Sequence, residues 1–275
     1  MLTLNAYAKV NLGLSVLGRR ADGFHDIDTL MVRLALHDTL TFEPASEGVT
    51  LEVTGADLAL PPEQNLAYRA AELYLKEAGV RRGVQIGLEK RIPVAAGLGG
   101  GSADAGAVLR GLAQLHPADV DVLALAAQLG SDVPFFAADL GAARATGRGE
   151  RLEAVTVPER HLVLVNPGVG VSAGDAYRRL EGLTGPLELT AISEQLEQNE
   201  EPSYFNALTT GVVGLEPVIG EVLGVLRQTG LKGVLMSGSG ATCFGLAQGQ
   251  HEAQVLAATL QEAYPEWWVS ATSTV

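Results

Sequence analysis

Pro93-Val94-Ala95-Ala96-Gly97-Leu98-Gly99-Gly100-Gly101-Ser102-Ala103-Asp104 places four glycines within five residues. Behind it Ala105, Val108, Leu109, Leu112 and Leu115 recur at helical spacing, so the run leads into an amphipathic helix. Glycine reaches positive φ and lets a ligand approach the backbone without a Cβ in the way. A helix start adds unpaired N–H groups and a partial positive charge. Together they make an anion cradle, most naturally for phosphate. Ser102 is placed to cap the helix, and Asp104 falls in the first turn, where negative charge is favoured. No Gly-Lys-Ser/Thr follows, so this is not a P-loop. Gly97, Gly99 and Ser102 fit the dinucleotide fingerprint poorly, and Asp119 and Asp121 fall in a loop or helix start rather than at the end of a second strand. The competing reading is a flexible turn between Lys90-Arg91 and the helix.

Outward from this run, the pattern is α+β. Strands are expected over residues 2–10, continuing through 11–17, then 38–43, 49–54 and 83–90. Asp22-Gly23 is the strongest hairpin signal of the first part. A helix is expected over 65–78 with Gly79 as its stop, and another over 120–129 stopped by Gly130. Ser131-Asp132-Val133-Pro134-Phe135-Phe136 reads as a turn-prone segment. Beyond a soft boundary at 155–160, strands are expected at 162–165, 233–236, 242–247 and 267–271, and helices at 218–229 and 251–263. Residues 194–202 read as an acidic surface loop.

With 275 residues, 47% of them hydrophobic and 19% charged, the chain has ample core for one large or two ordinary domains. No apolar run approaches the roughly 18 residues of a membrane span. No secretory signal is visible in Met1-Leu2-Thr3-Leu4-Asn5, and the single Cys243 rules out an internal disulfide, so a cytoplasmic location is expected. The net charge of −13 argues against a general nucleic-acid binder but not against a small anionic ligand.

Three segments, taken in order, resemble the signature motifs of the GHMP small-molecule kinase superfamily. They are Ala6-Tyr7-Ala8-Lys9-Val10-Asn11-Leu12-Gly13-Leu14, the glycine run, and Leu235-Met236-Ser237-Gly238-Ser239-Gly240-Ala241-Thr242-Cys243-Phe244. Arg20-Ala21-Asp22-Gly23-Phe24-His25, Gly130-Ser131-Asp132-Val133-Pro134-Phe135 and Ala145-Thr146-Gly147-Arg148-Gly149-Glu150 look like the branch that acts on a cytidine diphosphate polyol, 4-diphosphocytidyl-2-C-methyl-D-erythritol, in non-mevalonate isoprenoid synthesis. The matches spread over nearly the whole chain. The resemblance implies a two-domain α+β architecture. Residues 1–155 would form a ribosomal-S5-like N-terminal domain and 156–275 a ferredoxin-like C-terminal domain. It implies transfer of the ATP γ-phosphate to the 2-hydroxyl of that polyol.

A hydroxyl is a poor nucleophile at neutral pH, and a carboxylate that takes its proton plus a cation that stabilises the developing charge form a sufficient pair. The resemblance gives these roles to Asp132 and Lys9. Read without it, Asp132 is a helix N-cap before Pro134 and Lys9 a surface lysine at a strand end. Asn11 lies two residues from Lys9, on the same strand face. The resemblance has it binding the polyol hydroxyls; otherwise it is a strand-edge amide. His25 would read the cytosine edge with one donor and one acceptor, and Phe24 and Tyr177 would stack on its faces. The plain alternatives are a satisfied loop histidine and a helix core tyrosine. For ATP the resemblance implies residues Pro93 to Ala103 around the phosphates, with Asn65 and Lys90 near the adenosine. Mg2+ is expected with the nucleotide, and no carboxylate cluster names its ligands.

One departure concerns an Asn-Asp-Leu-Glu run frequent in the family's C-terminal half. Here Phe205-Asn206-Ala207-Leu208 keeps the amide without the acid. Three rival functions follow from the same residues. A sibling kinase for homoserine, galactose or mevalonate needs no base-binding His25 and Tyr177. A non-catalytic nucleotide-binding relative needs neither Lys9 nor Asp132. An RNA-associated protein sits badly with the acidic balance.

Overall fold

The computed structural model describes residues 1–56 and 61–275. The chain opens with β1 (Leu2–Arg19) and β2 (His25–Ala45). The turn between them closes as Asp22 signals: the Arg20 N–H donates to the Phe24 carbonyl at 2.8 Å, and the Asp22 carboxylate accepts from the Phe24 N–H at 3.1 Å. There follow β3 (Val49–Thr54), α1 (Leu66–Glu77), β4 (Gly83–Glu89), α2 (Gly100–Leu115), α3 (Val122–Leu129), α4 (Val133–Ala137), β5 (Ala142–Gly147) and β6 (Arg151–Ala154). The remainder is β7 (His161–Asn166), α5 (Ala173–Arg178), α6 (Leu189–Glu197), α7 (Thr209–Leu215), α8 (Pro217–Gln228), β8 (Lys232–Met236), β9 (Cys243–Ala247), α9 (Gln250–Ala263) and β10 (Trp268–Ser273).

These elements form two compact units, each discontinuous in sequence. The first comprises Met1–Ala8, Leu36–Val94 and Gly99–Leu140. In it β4 pairs antiparallel with the Thr39 to Ala45 half of β2 and parallel with β3. Helix α2 packs against α1, α3 and α4. Its apolar stripe puts Val108, Leu109 and Leu112 into a core with Tyr74, Phe42, Ile86, Leu88 and Phe135, all buried. Asn65 starts α1 by accepting the Ala67 N–H on its side-chain oxygen at 2.9 Å.

The second unit comprises Lys9–Ala35, Ala95–Leu98 and Gly141–Val275. Here Ile27 to Val32 of β2 pairs antiparallel with β5, and β5 with β6. A separate antiparallel sheet runs in the order β10-β7-β9-β8. Numbered along the chain, that order is 4-1-3-2, with helices between its first and second and its third and fourth strands. This is the ferredoxin-like arrangement anticipated for the C-terminal half. Helices α8 and α9 pack on this sheet. The core joins Val163, Val165, Val222, Leu226, Ala257 and Leu260 to Leu14 and Val16 of β1. Cys243 lies buried on β9, and burial holds its thiol far above the usual range. No helix among the described residues is long and apolar enough to cross a membrane.

Three local expectations need correction. Residues 194–197 belong to α6, not to a loop, because Ile192 and Leu196 bury one face of an otherwise polar helix. Ser102 is not the cap of α2; Gly99, at φ 72°, turns the chain directly into the helix, and no side chain caps it. Asp104 therefore lies beyond the first turn. It is buried, and its charge is governed by neighbouring side chains rather than by the helix dipole.

Candidate active site

In the second unit, three segments far apart in sequence are tied together. Lys9 and Asn11 lie on one face of β1, both buried. The Lys9 ammonium donates to the Asn11 side-chain oxygen at 2.6 Å and to the Gly97 carbonyl at 3.2 Å. The Asn11 amide in turn donates to Thr29 Oγ1 at 2.8 Å, and that hydroxyl donates to the Gly13 carbonyl at 2.7 Å. The surface-lysine and edge-amide readings both fail here. A buried ammonium is costly unless fully engaged, and this one is fixed in place.

The turn after β8 joins from the other side. Ser237 Oγ donates to the same Gly97 carbonyl at 3.0 Å, and the Thr242 N–H donates to the Ala96 carbonyl at 3.1 Å. The glycine at 97 is required: it has φ 77°, and a Cβ there would lie 2.3 Å from the Ser237 carbonyl oxygen. Ala95, at the exposed bend of the loop, holds φ 54°, a strained value of the kind that collects at functional sites.

In the first unit, Gly99 to Ala103 carry the chain into α2. The Ala103 N–H makes the first helical bond, to Gly99. The N–H groups of Gly100, Gly101 and Ser102 lie ahead of it with no side-chain cap, the donor set an anion needs. Pro93 and Val94 lead into this turn. Lys90, at the end of β4, is buried and ion-paired with Asp38 and with Asp104, the latter at 2.7 Å. Asn65 is occupied in capping α1. Asp132 stands at the N-cap position of α4, half-buried, and its side chain makes no cap hydrogen bond. The capping reading of Asp132 is thereby removed.

The aromatic residues lie in the second unit. The His25 and Tyr177 rings stack with centroids 5.0 Å apart and 15° between planes. Phe24 is 51% exposed, and the Arg148 guanidinium covers its ring at 5.0 Å from the centroid. Tyr177 thus packs on His25, while Phe24 faces Arg148.

Three residues escaped the sequence reading. Thr29 fixes the Asn11 amide. Asp38 anchors Lys90 and accepts the Ile92 N–H at 2.8 Å. Asn206, noted only for the missing acid beside it, is buried and donates to the Met236 and Gly238 carbonyls at 2.8 and 2.7 Å, holding the Ser237 turn. A lone Asn, Thr or Asp in a strand or loop carries no sequence signal of such long-range bonds.

Residues 65–139 match the profile of the GHMP kinases N terminal domain, and residues 188–266 that of the GHMP kinases C terminal. The chain belongs to the GHMP kinases. A relative from Deinococcus radiodurans, 4-diphosphocytidyl-2-C-methyl-D-erythritol kinase, is 51% identical over 97% of this chain and 91% of its own. A crystal structure of 4-(cytidine 5'-diphospho)-2C-methyl-D-erythritol kinase is 46% identical and superposes with a TM-score of 0.89 over the full length of both chains. Homoserine kinase from Cytophaga hutchinsonii shares the fold at a TM-score of 0.70, with 19% identity over 100% of this chain and 96% of its own. This GHMP kinase therefore combines the family's two domains with motifs that its own folding draws together around Gly97.

Proposed function

We propose that this GHMP kinase transfers the γ-phosphate of ATP to the 2-hydroxyl of 4-diphosphocytidyl-2-C-methyl-D-erythritol, a step of non-mevalonate isoprenoid precursor synthesis. The observation that carries the reading is the near-full-length identity to relatives of that activity, 51% and 46%, against 19% to a homoserine kinase of the same fold.

Phosphoryl transfer demands positioning and charge stabilisation more than covalent chemistry. Asp132, not spent on capping, takes the proton of the acceptor hydroxyl. Lys9 stabilises the charge that develops as the oxygen attacks. Its fixed ammonium needs no reorganisation at that moment, the condition under which such a charge is most effective. Asn11 uses its oxygen and one amide hydrogen within the protein and offers the other hydrogen to the polyol. His25 reads the cytosine edge, and Phe24 and Tyr177 supply flat faces for the base. The N–H groups of Gly100, Gly101 and Ser102, with the rest of Pro93 to Ala103, receive the ATP phosphates. Asn65 and Lys90 stand by the adenosine.

Among the described residues no group of three His, Cys, Asp or Glu could hold a metal ion. Magnesium is commonly held by one or two carboxylates together with substrate phosphates. Mg2+ carried on ATP fits this chain, and it supplies charge neutralisation at the phosphates. We place the enzyme in the cytoplasm, consistent with its single buried, unpaired cysteine.

ADP release measured with the cytidyl polyol, homoserine and mevalonate offered separately tests the reading. Turnover with the cytidyl substrate alone is expected. Turnover with homoserine and none with the cytidyl substrate would overturn it.

A further inference from the structure

Three ionisable side chains lie buried together directly beneath the first turn of α2. Lys90, Asp38 and Asp104 are 7%, 0% and 2% exposed. The Lys90 ammonium bridges the two carboxylates. Asp38 also accepts the N–H groups of Arg91 and Ile92. Asp104 is served less well: one oxygen accepts from Lys90, and the other is buried with no hydrogen-bond partner. A Cβ on Gly100 would lie 3.1 Å from Ile92 Cγ2 and 3.4 Å from the Lys90 ammonium, so the cluster is the floor on which α2 begins.

With both carboxylates ionised, the cluster would hold two negative charges against one positive in a dry site. Burying an uncompensated charge is expensive, and two adjacent carboxylates resist ionising together. We propose that Asp104 is a positioning residue: by holding a proton beside the buried Lys90–Asp38 ion pair, it sets the first turn of α2 and thereby the affinity for the nucleotide polyphosphate. This rests on reading Gly99 to Ser102 as part of the ATP cradle. The protonated cluster is neutral. The deprotonated one places a net negative charge under N–H groups that must receive an anion, and so opposes binding.

Among the described residues, the charged groups acting on the Asp104 carboxylate are Lys90 from the end of β4 and Asp38 from β2, and none comes from α1, α3 or α4, which pack on the same helix. Burial pushes Asp104 up to about 7, with Asp38 adding to the effect and Lys90 opposing it. Lys90 keeps its proton more tightly than an ordinary lysine: burial works against the charge, but both carboxylates outweigh it.

The test is calorimetric binding of the β,γ-imido analogue of ATP, at fixed excess Mg2+, to wild type and Asp104→Asn between pH 6 and 8.5. Asparagine keeps the oxygen that faces Lys90 and cannot ionise, and the analogue's own titration is common to both proteins. Wild-type affinity should fall by about three- to tenfold more than that of the variant as pH rises, the loss expected when the competent protonated fraction shrinks. Parallel profiles within about twofold would overturn the proposal. Should the variant fail to fold, wild type alone decides: binding at pH 8, compared in buffers of different ionisation enthalpy, should take up protons. No uptake, or release, would overturn it. Absence of any analogue binding by wild type would overturn the nucleotide reading along with it. An ADP-release failure despite tight analogue binding would remove only the assigned reaction.

Discussion

Lys9 and Gly97 are 88 residues apart in sequence, yet the Lys9 ammonium donates to the Gly97 carbonyl, which also accepts from Ser237 Oγ. The Lys9 backbone N–H meets the next carbonyl, that of Leu98, at 3.0 Å. The lysine strand, the glycine loop and the C-terminal serine turn therefore behave as one hydrogen-bonded object. Removing any one of them should disturb the others, and substitutions here are read best in pairs of parameters.

Lys9→Met removes both the charge and the tie to Gly97. Loss of a fixed charge that acts on the transition state costs about 10²- to 10³-fold in kcat. KM for ATP should rise as well, because the loop loses a strut. Lys9→Arg should not rescue, since the guanidinium fork cannot occupy a buried site shaped for an ammonium between Asn11 and Gly97. Steady-state ADP release checks this. A fall below tenfold in either variant would take Lys9 out of the chemistry.

Asp132→Asn separates catalysis from folding. A cap lost from a helix costs about 1 kcal/mol, but Asp132 makes no cap bond to α4. No cap bond is therefore lost with the charge, and kcat should fall by about 10²- to 10⁴-fold, the usual range for a missing general base, by more than any change in thermal midpoint explains. KM for the acceptor should change little. Wild-type turnover, or a fall in stability that accounts for the lost activity, would contradict the role.

Much of this site was legible because its motifs are local. The glycine run announces a turn into a helix, and the pairing of Lys9 with Asn11 follows from the period of a strand. The 4-1-3-2 sheet is accessible through family resemblance rather than through periodicity, since its strands are short and β7 and β9 are buried along nearly their whole length, with no alternation to read. What stayed hidden is long-range. Asp104 resembles a first-turn acid because its neighbours in sequence are a helix start, whereas its real environment is Lys90, 14 residues back in the chain, and Asp38 on β2. The acidic stretch at 194–197 reads as loop because it holds only one of the two residues that bury the helix, Leu196, while Ile192 precedes it.

Tyr177 packs face to face on His25. If these rings and Phe24 hold a cytosine, Tyr177→Ala should raise KM for the cytidyl substrate by about 5- to 150-fold, the equivalent of 1–3 kcal/mol per stacked base. KM for ATP should be unaffected. Tyr177→Phe, which keeps the ring, should raise that KM far less than Tyr177→Ala. Equal losses for both substrates in the alanine variant would point to misfolding of α5 instead.

Gly97→Ala tests the junction directly. The new Cβ would meet the Ser237 carbonyl oxygen at 2.3 Å and that of Gly240 at 2.8 Å, at a φ of 77° that alanine adopts poorly. The loop must move, breaking the bonds to Lys9 and Ser237. A loss of roughly 2 kcal/mol or more in urea unfolding is expected, from strain and lost bonds together. KM for ATP should rise in parallel. An alanine variant of native stability and native KM would show that the loop is not held as described.

The Asp104 cluster also predicts a pH dependence of folding in the absence of nucleotide. The carboxyl is held at about 7 in the folded chain against an ordinary value of 3.8. Between these values the native state keeps a proton that the unfolded chain has released. Stability therefore falls as pH rises through this window, by at most about 1.4 kcal/mol per pH unit for one proton, and this group contributes no further change above about 7. Asp104→Asn has no such proton to hold. Subtracting its urea-derived stability from that of wild type at each pH from 5 to 8 cancels the titrations the two proteins share. The difference should move steadily against wild type up to about pH 7 and then level off. A difference that stays flat from pH 5 to 7 would mean that Asp104 ionises as an ordinary carboxylate, and that the floor beneath α2 is held by an ion triad rather than by a protonated Asp104.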